Sequence, residues 1–152
     1  MKNIILPLIA LAAMAFTACS KEPPADQIKG SYNCEARLDT RYMKNGQWRD
    51  TSYVSKTSNS VIIQKVDDKT VSITAHSNKW GDAVVENASV SDYNYSANFG
   101  GDGTYTRNNT SYPANISGTV TYDSHDMSVS VRVTNYPQSG GKYILSFTNR
   151  GI

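Results

Sequence analysis

The sequence predicts an all-β fold: a single antiparallel up-and-down barrel of about eight strands. Three observations predict it. Apolar residues after Lys29 recur at spacing two, not three or four. Tight-turn signals separate these alternating runs at short intervals. Each run also carries one apolar face and one face of Ser, Thr and Asn. A sheet with one wet face and no helices for the other must bury its apolar face on itself, as a barrel or a sandwich. Sequential hairpins with few long crossovers favour the barrel.

The first strand reads "GSYNCEARLDTRY", with Tyr32, Cys34, Ala36 and Leu38 on one face. "KNGQ", residues 44–47, carries the Asn-Gly pair that supplies positive φ to a hairpin. A polar strand around Trp48 to Lys56 returns from it. "NSVIIQKV", the turn "DDKT" and "TVSITAH" follow, the last with Val71, Ile73 and Ala75 on one face. Residues 77–92 hold Trp80, Gly81 and a short strand from Ala83 to Val90. "YNYSANF" alternates Tyr93, Tyr95, Ala97 and Phe99 against Asn94, Ser96 and Asn98. "GGDG", Gly100 to Gly103, reads as a glycine hairpin leading into "TYTRN". "NISGTVTY" alternates Ile116, Gly118, Val120 and Tyr122, and mid-strand Gly118 suits a sharp bend at a barrel corner. "DSHD" turns the chain into "MSVSVRV". "YPQSGG" turns it again into the last strand, "KYILSFTN".

The start of the chain has a different character. One lysine, Lys2, precedes the apolar stretch from Ile4 to Phe16. A membrane-crossing helix needs roughly twenty apolar residues. A secretory signal needs an apolar region of about 7–15, followed by a small-residue cleavage site. The stretch fits the signal, over residues 1–18. It ends in "FTACS", Phe16 to Ser20, which resembles a bacterial lipobox. That resemblance implies a diacylglycerol thioether on Cys19, which becomes the mature N-terminus. The alternative is a plain signal peptide. Several acyl chains on one cysteine would anchor durably, since each buried CH₂ contributes about 0.8 kcal/mol. The expected partner is therefore a membrane, and the expected location is the cell envelope, at the periplasmic face or the surface of an outer membrane. Residues 19–29, with "SKEPPADQIK", read as a lipidated N-terminus and flexible tether, because Pro23 and Pro24 favour extended backbone. Residues 30–152 read as the barrel domain.

The totals narrow the function. Lys and Arg are scattered and the formal net charge is only +2, which suggests no nucleic-acid footprint. After Cys19 only Cys34 remains, so no internal disulfide can form. Cys34 lies in an alternating run and reads as a buried structural thiol. His76 falls on a polar face and His125 lies in turn chemistry, so neither suggests a metal site. "GGDG" and "DD" lack calcium-loop spacing. No cofactor and no enzymatic activity are expected.

A signal ending in a lipobox, "IKGSY" opening the first strand, a run of hairpins, "GTVTYDSHDMSVSVRV" and a terminal "LSFTN" together resemble the calycin or lipocalin-like lipoproteins of the Bacteroidetes. Gly30 to Tyr32 stands where lipocalins have Gly-x-Trp. The resemblance implies an eight-stranded calycin-like barrel.

Ten tyrosines against three phenylalanines form the remaining clue. Alternation puts Tyr32, Tyr93, Tyr95, Tyr122 and Tyr143 on apolar faces, pointing into the barrel. Buried tyrosine hydroxyls need partners. These five therefore belong either to a filled core or to a pocket for a small hydrophobic or amphipathic ligand. A second reading is a protein-interaction module, such as an inhibitor of a secreted protease that inserts Gly100 to Gly103 or Tyr136 to Gly141. A third is a surface glycan-binding module. Trp48 and Trp80 lie near strand ends, where they would line a mouth.

Overall fold

The computed structural model describes residues 21–149; the signal peptide expected over 1–18 and the lipid attachment expected at Cys19 lie outside the described residues. The described chain is all-β, with one antiparallel sheet of ten strands curled into a half-barrel.

The leader is not the flexible tether that its prolines suggest. A short helix, α1, runs Pro24–Ile28. Proline suits the first helical position, where its missing N–H would have no partner. The amides of Asp26 and Gln27 donate to the Pro23 carbonyl, at 3.0 and 3.2 Å. Ala25 and Ile28 are fully buried. That burial, absent from a reading of proline alone, holds the leader on the sheet.

Strands β1 (Gly30–Asn33) and β2 (Glu35–Lys44) come from what reads as one strand. The break falls at Cys34. Before it, β1 pairs with β4 (Asn59–Asp67), Asn33 lying opposite Ser60. After it, β2 pairs with β10 (Tyr143–Asn149), Glu35 lying opposite Thr148. Asn59, buried, fastens this joint. Its carbonyl accepts from the Cys34 amide at 3.0 Å, and its side-chain oxygen accepts from the Ser77 hydroxyl at 2.8 Å. Cys34 is buried as expected, and burial pushes its thiol up to about 11.

The Asn45–Gly46 turn closes the hairpin between β2 and β3 (Gln47–Ser55), with both residues at positive φ. Beyond β4 the chain is a meander: β5 (Thr70–Ser77), β6 (Gly81–Tyr93), β7 (Ser96–Arg107), β8 (Thr110–Thr121), β9 (Met127–Val133) and β10 pair in sequence.

β6 and β7 correct two expectations. β6 is a long strand of 13 residues. Its buried positions pass from Ala83 and Val85 to Ala88 and Val90, because a bulge shifts the register by one. "GGDG" is not a hairpin but the middle of β7. A Cβ on Gly103 would stand 2.1 Å from the Val84 carbonyl oxygen, so the glycines let β7 press against the bulged strand. The turn lies further on, at Asn108 and Asn109, both at positive φ. Gly118 also answers to close approach. Its added Cβ would meet the Phe99 ring at 2.5 Å, and Phe99 lies opposite it across the β7–β8 ladder. The aromatic ring fills the space that the glycine leaves.

The inward side chains of every strand except β3 join one buried cluster, among them Leu38, Ile63, Ile73, Val85, Ile116, Val131 and Phe147. The strands alternate as the sequence requires. β9 shows buried Met127, Val129, Val131 and Val133 with Ser and Arg between them.

Candidate functional site

The five tyrosines singled out above divide. Tyr143 and Tyr32 are buried, and Tyr122 is partly buried against the core. Tyr93 and Tyr95 are instead 56% and 77% exposed. The reason is local. Asn94 and Tyr95 form the turn between β6 and β7, with Tyr93 opposite Ser96, so "YNYSANF" spans a hairpin rather than one strand.

Tyr143 belongs to a cluster that the sequence reading missed. Tyr105, Tyr112, Tyr136 and Tyr143 meet at the end of the barrel where β7 turns into β8. Ring centroids lie 5.5 Å apart for Tyr105–Tyr143, 5.0 Å for Tyr112–Tyr136 and 3.9 Å for the stacked pair Tyr136–Tyr143. Tyr105 is fully buried and its hydroxyl donates to the Trp80 carbonyl. Its single proton is thereby used, so in the 2.9 Å contact between the two hydroxyls Tyr143 donates to Tyr105. Arg107 in turn donates to the Tyr143 hydroxyl at 3.1 Å. A chain of donors thus runs Arg107, Tyr143, Tyr105, Trp80. Burial first, and then its bond to Tyr143, raises the Tyr105 hydroxyl well above the ordinary tyrosine value. Trp80 is buried inside this stopper rather than lining an open mouth. Ser139, also buried, donates to the Tyr136 carbonyl at 2.7 Å, which folds the 134–142 loop over the same end.

The signal for Tyr105 was present. Read as a continuous strand, Ala97, Phe99, Gly101, Gly103 and Tyr105 share one parity. Treating "GGDG" as a turn broke that count.

The opposite end is closed by α1. Ile28 and Ala25 enter the core, and the Tyr32 hydroxyl donates to the Ile28 carbonyl at 2.6 Å. Ion pairs fasten the helix from outside. Asp26 meets Lys65 at 2.5 Å and Lys29 at 2.8 Å, and Lys21 meets Asp92 at 2.9 Å. The Tyr122 hydroxyl donates to the same Asp92 carboxylate at 2.5 Å.

Neither glycine-rich segment is a projecting loop. Gly100 to Gly103 lies within a paired strand, and Tyr136 to Gly141 lies over the tyrosines. A recess of about 660 Å³ opens outside the barrel beside the Cys34 joint, lined by polar residues that include Glu35, Arg37 and Thr148. His76 is half exposed and pairs with Asp82 at 2.5 Å. Among the described residues, no group of three His, Cys, Asp or Glu side chains is placed to hold a metal ion. No helix among them is long and apolar enough to cross a membrane.

Five of the ten large exposed hydrophobic side chains among the described residues lie on the β2–β3 hairpin. Tyr42, Met43, Trp48, Tyr53 and Val54 are all between 44% and 53% exposed. Trp48 lies over the backbone of Gly140, where a Cβ would meet its ring at 2.6 Å. Comparisons with known proteins add no relative: no family model, no curated protein and no solved structure matches the chain.

Proposed function

We propose that this chain is a lipid-anchored protein of the bacterial cell envelope, with a closed calycin-like barrel that works as a protein-interaction module through its outer surface. The observation that carries the reading is the double stopper. Aliphatic α1 fills one end, the tyrosine chain fills the other, and one continuous apolar cluster lies between them. An eight-stranded barrel has room for side chains to fill it or for one small ligand. Here side chains take that room.

The strand count supports the eight-stranded form. β1 and β2 follow one another as a single kinked strand, and β3 and β4 run successively along its one flank. With β5 to β10 these make eight. Cα atoms of β10 and β4 approach within 8 Å, which brings the two flanks of the kinked strand together.

The anchor supplies an orientation. Lys21, fastened to Asp92, is two residues beyond Cys19. Two residues span at most about 7 Å. A lipid on Cys19 would hold the α1 end toward the membrane, with Tyr93 and Tyr95 on that rim. The tyrosine stopper and the β2–β3 hairpin would then face away from it.

The test is native mass spectrometry of the full chain from a bacterial envelope, with labelled fatty acid in the growth medium. The expected result is one species carrying only the acyl mass, with the label lost in Cys19→Ala. A reproducible additional mass, removed by solvent extraction, would overturn the packed-module reading in favour of a container.

A further inference from the structure

Among the described residues two strands end the sheet and pair on one flank only, the four-residue β1 and the nine-residue β3. β3 ends the strand order and pairs only with β2. Its nine residues pair in unbroken register, from Gln47 opposite Lys44 to Ser55 opposite Ala36. Seven of them are exposed and the other two half-buried. Natural edge strands are usually blunted by a bulge, a proline or free charges. β3 has neither bulge nor proline. Its acidic residue is already engaged, since Asp50 meets Arg41 at 2.7 Å and Lys142 at 3.4 Å.

The hairpin decides which backbone groups are free. A two-residue turn makes the flanking pair, Lys44 and Gln47, a hydrogen-bonded one, and bonded pairs then alternate. Gln47, Arg49, Thr51, Tyr53 and Ser55 therefore bond to β2. Trp48, Asp50, Ser52 and Val54 present their N–H and C=O groups to the open flank.

We propose that this flank pairs with the same strand of a second copy, antiparallel, about a twofold axis at Thr51. The side chains choose the register. Centring on Thr51 sets Trp48 against the partner's Val54, and Arg49 against the partner's Tyr53. Asp50 then stands against the partner's Ser52. The free backbone groups of Trp48, Asp50, Ser52 and Val54 fall into mutually bonded pairs. Apolar, cation–aromatic and Thr–Thr cross-strand pairs all stabilise an antiparallel ladder. Centring on Asp50 instead would oppose two carboxylates. Centring on Ser52 sets Asp50 against the partner's Val54 and Arg49 against the partner's Ser55, so both favourable pairs are lost. The occupant is thus a second copy of this chain, because the strand complements itself. The proposal rests on the reading of the outer surface as the working part, and gives that surface one partner.

Paired cysteines test it in the full chain held in mild detergent. Thr51→Cys faces its own symmetry mate in a non-bonded pair, where Cβ atoms stand about 4.5–5.5 Å apart, near disulfide reach. Val54→Cys is more exposed than half-buried Thr51, but its symmetry mate lies six residues along, about 20 Å away. Copper-catalysed air oxidation should cross-link T51C to dimer several-fold faster than V54C. The unmodified chain, with Cys34 buried, serves as blank. Light scattering on the unmodified chain should give twice the monomer mass. Ser52→Pro removes a free N–H from the open flank and leaves the backbone ladder to β2 whole, giving up only the Ser52 hydroxyl's bonds to Arg37 and Asp39, and Thr51→Lys sets two like charges directly opposite one another on the twofold axis. Either should return the monomer mass. A monomer throughout the accessible concentrations, equal cross-linking of T51C and V54C, or a dimer that survives both S52P and T51K overturns the proposal. A bound small molecule in the native mass would sink the functional reading while leaving this pairing intact, so the two failures are separable.

Discussion

The two ends of the half-barrel are closed by different chemistries. At one end α1 contributes aliphatic bulk, Ala25 and Ile28, over a rim fastened by exposed ion pairs. At the other, Tyr105 and Tyr143 close the mouth through directed hydrogen bonds, with the rings of Tyr112 and Tyr136 packed against them. The helix end uses a contiguous stretch of leader and non-directional packing. The tyrosine end gathers residues distant in sequence, and it holds only while each hydroxyl has its partner. A stopper of the first kind tolerates some rearrangement. One of the second kind does not, since a buried hydroxyl or carbonyl left unpaired costs about 1–3 kcal/mol.

The largest expected effect tests the tyrosine end. Tyr105→Ala empties a fully buried site and orphans the Trp80 carbonyl, and should lower unfolding free energy by about 3–5 kcal/mol in denaturant titrations. Ile28→Ala at the other end should cost less, about 2–4 kcal/mol, because a five-residue helix at a rim can settle into the gap. Equal losses would erase the distinction drawn between the ends. Tyr105→Phe keeps the ring and removes only the link between Tyr143 and Trp80. It should cost about 1–2 kcal/mol and sharpen the near-ultraviolet circular dichroism difference from Y105A.

The ends should also separate by pH. The Asp26 carboxyl is held below its ordinary 3.8 by Lys29 first and then Lys65. Asp92 is held low by the Tyr122 hydroxyl first and then Lys21. A carboxylate depressed in the fold contributes stability that is present above its unfolded value and lost as pH falls through the folded one. Acid below pH 3.8 should therefore speed hydrogen exchange in α1 while the tyrosine cluster, which holds no carboxylate, keeps its signal. Alkali does the converse at the tyrosines. Burial raises Tyr105 and Tyr143 above the ordinary 10.0, so their contribution is intact below pH 10 and declines above it. Tyr32 and Tyr122 are raised as well, chiefly by burial, so alkali reaches the helix end too. The smallest effect is Asp26→Asn, which removes only exposed ion pairs. It should shift the melting midpoint less than any core change, and more at low salt than at high.

Most strands were legible because alternation and turn chemistry are local. "MSVSVRV" became β9, and the Asn-Gly pair made its hairpin. Three misreadings share one cause, which is that a single residue type was given its commonest local meaning. Pro23 and Pro24 suggested extended chain, yet Pro24 begins a helix because Ile28 has a core to enter. "GGDG" suggested a turn, yet it serves a close approach to β6. Tyr95 suggested a continued strand, yet it sits in the turn. Of the five tyrosines chosen from alternation, Tyr143 is in the cluster at the closed end, and Tyr32 and Tyr122 are at the helix end. Tyr105, Tyr112 and Tyr136 went unseen.

What the sequence by itself determined is the class of the molecule. Spacing-two alternation dictates strands with one buried face, and the turn residues dictate hairpins. Tertiary structure alone decided how the ends are closed, that the leader folds back as α1, that the chain changes neighbours at Cys34, and that β3 keeps an open flank. These depend on which distant strands become neighbours, and alternation carries no information about that. A side chain's face follows from its position in one strand, whereas its partners follow from the packing of all of them.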